Sequence, residues 1–179
     1  AWASHLRERW NIPVEDEGIV ITPGAKQGLL YAMMVAAEPG NEVVLMAPPW
    51  PTHVEQVELV GATPVFVECE RPTFHPNLDH IAAAITSRTS AILINSPNNP
   101  TGAVYTPELI RGIVKLAIEH DLWIISDEIY TELIWNEAEH LAPASVEGGF
   151  ERTLTVTGPS KTHAMTGRRV GVLAAPTHV

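Results

Sequence analysis

Lys161 and Arg169 lie eight residues apart in "SKTHAMTGRRVG" (residues 160–171), a basic cluster in a chain of net charge −10. A lysine at the edge of an apolar strand is costly unless it is paired or used covalently. Its amine suits a carbonyl, and an arginine suits a phosphate. Upstream, "SDEIY" (126–130) ends an apolar run with Asp127 and places Tyr130 three residues on. A fixed carboxylate there can hold a ring nitrogen protonated, and a phenol can meet a ring oxygen. "NSPNNPTG" (95–102) is a loop stiffened by Ser96-Pro97 and Asn99-Pro100, from which the Asn99 amide can donate and accept. "APPWPTH" (47–53) presents Trp50 as a flat surface, and "TPGAKQG" (22–28) turns a strand into a helix at Gly24 and Ala25. Free N–H groups at such a helix start bind phosphate. Taken singly, the Gly24 turn is a tight strand-to-helix connection and Trp50 a core residue. Taken together, a stacking surface, a ring-nitrogen anion, donors for a phenolic oxygen, a phosphate cradle and an amine for a carbonyl describe pyridoxal 5'-phosphate.

These residues need a scaffold that gathers them. Apolar runs occupy 18–22, 42–47, 63–68, 89–95, 122–128, 153–157 and 170–175. Most are apolar on successive residues, which suits strands covered on both faces. Helical stretches fall at 25–37, 52–60, 78–85 and 107–120, the last with Thr106 as N-cap, Pro107 at the first position and Glu108 in the first turn. The expected fold class is α/β: a mostly parallel seven-stranded sheet flanked by helices. In such sheets ligands sit beyond the carboxyl ends of the strands, where the candidate residues lie. The polar stretch 136–152 reads as a long loop within one domain, and "AWASHLRERW" as the tail of a helix.

Composition narrows the rest. The chain has 179 residues, 45% hydrophobic, enough for one core. Its acidity speaks against a nucleic-acid face. No apolar run reaches the ~20 residues of a membrane helix. A single cysteine, Cys69, excludes an intrachain disulfide and agrees with a reducing, cytoplasmic setting. His75, His80, His120 and His140 lack metal-ligand spacing and read as surface or loop residues; no metal is expected. Trp123 reads as core.

"NNPTG", "SKTHAMTGRRVG" and "SDEIY" resemble the fold-type-I pyridoxal-phosphate enzymes. Among these the match is to the class I/II aminotransferases related to aspartate aminotransferase, over essentially the whole chain. The resemblance implies that Lys161 forms the Schiff base and that Asp127 partners the pyridine nitrogen. It implies that Tyr130 and Asn99 contact the ring oxygen, and that Trp50 stacks on the ring. Gly24, Ala25 and Lys26 would form the phosphate turn, Lys26 through its backbone, with Ser160 the nearest hydroxyl and Arg169, rather than Arg168, the phosphate arginine. His53 would back the aspartate, and Pro48 and Pro100 fall at cis-proline positions. Implied with these are amino-acid and 2-oxo-acid substrates and a homodimer.

Two departures stand out. Many relatives carry serine three residues before the lysine, where this chain has Gly158. Relatives also have an N-terminal segment and a C-terminal small domain, which supplies the arginine for the substrate carboxylate. Residues 1–179 would thus be the large cofactor domain, inactive by itself. A C–S lyase, a decarboxylase, or a non-catalytic cofactor-binding sensor or fragment would use the same groups.

Overall fold

The computed structural model describes residues 1–135 and 137–179. Helix α1 (Trp2–Trp10) leads into β1 (Ile19–Thr22), α2 (Ala25–Ala36), β2 (Glu42–Ala47), α3 (Pro51–Leu59) and β3 (Thr63–Glu70). Then come β4 (His75–Pro76), α4 (Leu78–Ala84), β5 (Thr89–Asn95), α5 (Pro107–Glu119) and β6 (Trp123–Asp127). The chain closes with β7 (Thr153–Thr157), the single turn α6 (Pro159–Thr162) and β8 (Gly171–Ala174). Helix α5 starts as its sequence dictates: the Thr106 hydroxyl accepts from the Leu109 N–H, and Pro107 opens the first turn.

The sheet has the order β1-β8-β7-β6-β5-β2-β3-β4. Strands β3, β2, β5, β6 and β7 are mutually parallel, while β8 lies antiparallel between β7 and β1. All seven expected strands form. The eighth, β4, is two residues long and folds back antiparallel on the end of β3. It is too short to show a period, and it puts His75 in a strand, where its ring meets Tyr105 edge-on, rather than in a loop. Of the stretch 136–152, residue 136 lies outside the described residues; the remainder includes two 3₁₀ turns, Pro143–Ser145 and Phe150–Arg152.

Consecutive apolar residues are explained by two covered faces. Val43, Leu45, Leu93 and Ile125 pack with Leu29 and Met33 of α2 and Val57 of α3. Their neighbours Val44, Met46, Ile92, Ile94 and Ile124 pack on the other face with Ile81 of α4 and Ile110, Ile113 and Val114 of α5. Each such side chain contributes about 1.5–3 kcal/mol when fully buried. Trp123, only partly buried, packs against the first cluster and stacks on His178.

The strand order reverses between β5 and β2, and such a reversal opens a crevice at the carboxyl ends. The antiparallel β8 has a further effect: its amino end, not its carboxyl end, reaches that edge. The segment before it, carrying Arg169, is thereby delivered beside the first turn of α2.

Candidate active site

Five connections meet at this edge. They enclose a cavity of about 360 Å³ lined by Ala25, Lys26, Leu29, Trp50, Asn95, Asn99, Asp127, Ile129, Tyr130, Ser160, Lys161 and Arg169. Every candidate cofactor contact from the sequence is in this set except Gly24, which immediately precedes Ala25; His53 stands behind Asp127, outside the lining. Asn95, Leu29 and Ile129 were not anticipated. Asn95 ends β5, and its position at a strand's carboxyl end was the signal that could have found it.

Asp127 is buried at the end of β6. Its Oδ2 lies 3.0 Å from Nε2 of the buried His53, and its Oδ1 accepts from the Ile129 N–H at 3.3 Å. The imidazole is held from behind by Trp50, edge-on with ring centroids 5.3 Å apart. Asn95 joins two parts of the site: Nδ2 donates to the Asp127 carbonyl at 3.1 Å, and Oδ1 accepts from the Asn99 N–H at 2.8 Å. The peptides before Pro48 and Pro100 are cis, as are those before Pro72 and Pro97.

The Asn99 Nδ2 lies 3.4 Å from the Tyr130 hydroxyl, and the Lys161 ammonium lies 5.9 Å from the Tyr130 ring centroid. Burial, then the charge of Asp127, push the Tyr130 phenol above its usual range, opposed by the Asn99 hydrogen bond. It therefore stays a neutral donor at ordinary pH. Lys161 is the exposed residue of α6, whose Pro159 and Ser160 are buried, and it lines the cavity.

The other end of the cavity has the form of an anion cradle. Gly24 takes φ +95 at the start of α2, and a Cβ there would overlap the Arg169 guanidinium. Gly171 is as tightly constrained, since its Cβ would overlap the backbone of Gly24 and Ala25. Two positions without side chains thus let an arginine lie across a helix N-terminus, where N–H groups and a guanidinium converge. Arg169 Nη1 donates to the Thr166 carbonyl at 2.9 Å, which orients the fork. Arg168, next to it, does not line the cavity. Lys26 holds its ammonium 5.1 Å from the Trp50 ring centroid, and its carbonyl accepts from Gln56 Nε2. Gly158, where relatives carry serine, has φ +155, and a Cβ would press on the Val170 carbonyl at 3.0 Å. The neighbouring hydroxyl, Ser160 Oγ, lies 3.4 Å from that same carbonyl.

The family model for "Aminotransferase class I and II" matches residues 1–179. The chain belongs to the class I and II aminotransferase family. It is 41% identical over 180 residues to an aspartate/prephenate aminotransferase of Thermus thermophilus, covering 100% of this chain and 46% of the relative. It is 40% identical over 172 residues to an aspartate aminotransferase of Thermotoga maritima, covering 96% and 45%. The solved N-succinyldiaminopimelate aminotransferase of Mycobacterium tuberculosis superposes with a TM-score of 0.96 at 32% identity, over 99% of this chain and 47% of that one. The chain therefore spans about half the length of the relatives it matches. The family is pyridoxal-phosphate-dependent, and the aminotransferase fold is the α/β large-domain type expected.

Proposed function

We propose that residues 1–179 are the large, cofactor-holding domain of a pyridoxal-phosphate-dependent aminotransferase that moves an amino group between an L-amino acid and a 2-oxo acid. The observation that carries this reading is the cavity itself: an amine, a buried carboxylate, a neutral phenol and an anion cradle line one space of about 360 Å³. The fit to pyridoxal phosphate rests on Gly24 and Gly171, whose missing side chains let the Arg169 guanidinium lie beside the first turn of α2, where a guanidinium and N–H groups suit a phosphate.

When bound, pyridoxal phosphate supplies a carbonyl that joins amines and a protonated ring that draws electrons from the substrate carbon. The first turn of α2 at Gly24, Ala25 and Lys26, with Arg169 and Ser160, would bind the phosphate. Trp50 would cover a ring face. Asp127, kept in place by His53, would hold the ring nitrogen protonated, because the ionised carboxylate stabilises the cation beside it. Tyr130 and Asn99 would donate to the ring oxygen. Lys161 Nζ would bind the carbonyl covalently and, once released by a substrate amine, would take the proton from the substrate Cα as general base and deliver it as acid to the former carbonyl carbon of the cofactor.

The same reading includes a homodimer. Tyr31, Met34 and Val35 are exposed on α2, and Val20 and Ile21 are exposed on the edge strand β1 against which α2 packs. An apolar area of this kind is usually covered by a second subunit. A cytoplasmic location is inferred from the single free cysteine, Cys69; among the described residues no helix is long and apolar enough to cross a membrane.

Borohydride reduction of the protein with pyridoxal phosphate, followed by peptide mapping, tests the central assignment. Label on the peptide containing Lys161 is expected. Label on Lys26 or Lys115 instead would remove Lys161 from its role.

A further inference from the structure

Asp127 and Glu128 are consecutive, yet only Asp127 lines the cavity. Glu128 turns to the other side of the chain and is equally buried. Its Oε1 accepts from Ser126 Oγ at 2.9 Å, and its Oε2 lies 3.2 Å from His140 Nε2. An ionised carboxylate only accepts, so with Glu128 in that form the proton between them sits on His140 Nε2. The side chains of His140 and Glu128 are 2% and 3% exposed. Although the sequence suggested a surface or loop histidine, the His140 imidazole is enclosed, with Trp10 of α1 edge-on at 4.9 Å between centroids.

The backbone of Glu128 is fixed as firmly as its side chain. Its N–H donates to the Val156 carbonyl at 2.8 Å, and its carbonyl accepts from the hydroxyls of Thr131 and Thr157, each at 3.2 Å. Four residues on, Glu132 is gripped by Arg9 through Nε at 3.2 Å and Nη2 at 3.1 Å. Tyr130 is the middle residue of the segment between these two anchors. Arg9 and Glu132 are partly exposed, so their pair is the weaker anchor. The buried pair is the stronger, because a carboxylate oxygen stripped of its partner inside the protein must find another or move.

We propose that His140, acting through Glu128, is a positioning residue for Tyr130: the buried pair fixes the turn that carries the phenol, and so sets where its oxygen lies relative to Asn99 and Lys161. The Asn99–Tyr130 hydrogen bond, at 3.4 Å, is at the outer limit of such bonds and is lost with a small displacement. A pair that served folding alone would change stability and leave the phenol where it is.

The phenol reports its own position. Asn99, Asp127 and Lys161 face it, and burial with the Asp127 charge holds its titration above the usual range. A Tyr130 shifted outward becomes wetter and farther from Asp127, which lowers its titration, while loss of the Asn99 hydrogen bond raises it; burial is the largest of these effects and the Asp127 charge the next, so the net movement is to lower pH. The test is carbon NMR of the full-length protein labelled at tyrosine Cζ, without pyridoxal phosphate, the Tyr130 signal being assigned by its loss in Tyr130→Phe. In His140→Ala the Tyr130 midpoint is expected to fall. In His140→Gln, whose amide N–H still donates to Glu128, it is expected to return to the wild-type value. A folded His140→Ala protein with an unchanged or raised midpoint overturns the proposal. If His140→Ala does not fold, Ser126→Ala removes the other bond to the Glu128 carboxylate. A lowered midpoint there supports the proposal, and an unchanged one overturns it. Because no cofactor is present, the result is independent of whether the proposed transaminase chemistry is correct.

Discussion

Two buried carboxylates mark opposite edges of the parallel sheet, and they are partnered differently. Glu42 opens β2 at the amino edge. It accepts from the Thr86 hydroxyl and from the Arg88 guanidinium, both on the connection into β5. The Thr86 hydrogen bond, helped by Arg88 against the cost of burial, holds its pKa below the usual carboxylate range. Asp127 closes β6 at the carboxyl edge and meets a histidine and one backbone N–H, with a cavity in front of it. A carboxylate saturated by a cation and a hydroxyl joins two strands and does nothing more. One that faces open space can still accept a proton-bearing ligand. The comparison separates a group that serves folding from one available for chemistry, although both are charged, buried and at strand ends.

The largest effect that would break this comparison is at Lys161. Lys161→Ala is expected to lower single-turnover transamination in the full-length protein by roughly 10³-fold or more, since covalent and proton-transfer roles go together. Its thermal unfolding should stay within about 0.5 kcal/mol of wild type, because the side chain is exposed. Next is the carboxylate pair itself. Asp127→Asn should retain the cofactor's visible absorbance and lose about 10²–10³-fold in rate, because a neutral amide does not hold the ring nitrogen protonated. Glu42→Gln should leave that rate within about twofold of wild type. If Asp127→Asn transaminated normally, or Glu42→Gln lost activity while folded, the two edges would not divide as described.

A smaller effect is expected at the cradle. Gly24→Ala places a methyl group against the Arg169 guanidinium, and equilibrium titration should show cofactor binding weakened by about 10–100-fold, the worth of a charge-assisted hydrogen bond. Acid unfolding sharpens the other side of the comparison. Because the folded pKa of Glu42 is depressed, its contribution is complete above the unfolded carboxylate pKa and is lost as pH falls through the folded value. Denaturant midpoints measured from neutral pH into the acid range should therefore fall less steeply in Glu42→Gln than in wild type. The smallest change is Thr106→Ala, which removes the N-cap of α5 on the face away from the cavity. A loss of about 1 kcal/mol in stability with unchanged cofactor affinity is expected.

What local chemistry dictates was legible in the chain. Successive Val and Ile residues marked strands with two covered faces, because burial on both sides removes the polar alternation of a half-exposed strand. The Thr106-Pro107-Glu108 start of α5 was legible because capping acts within one turn. The candidate residues could be picked out because each follows a strand, and five connections carry side chains that suit a single ligand. Their common address was implied by the α/β pattern, and the cavity brings together the amine, the carboxylate, the phenol and the anion cradle.

The remainder was decided in three dimensions. Nothing in "VGVLAA" says that β8 runs antiparallel between β7 and β1, since an apolar strand reads the same in either direction. Yet that direction is what brings Arg169 to Gly24. The two-residue β4 has no period to detect. His140 resembled three other histidines until the fold closed Trp10 over it and set Glu128 beneath it. A sequence records what a residue can do with its near neighbours. The partner of a buried charge is chosen by which distant segments pack around it, and here that choice distinguishes Asp127, which faces the cavity, from Glu128, which faces His140.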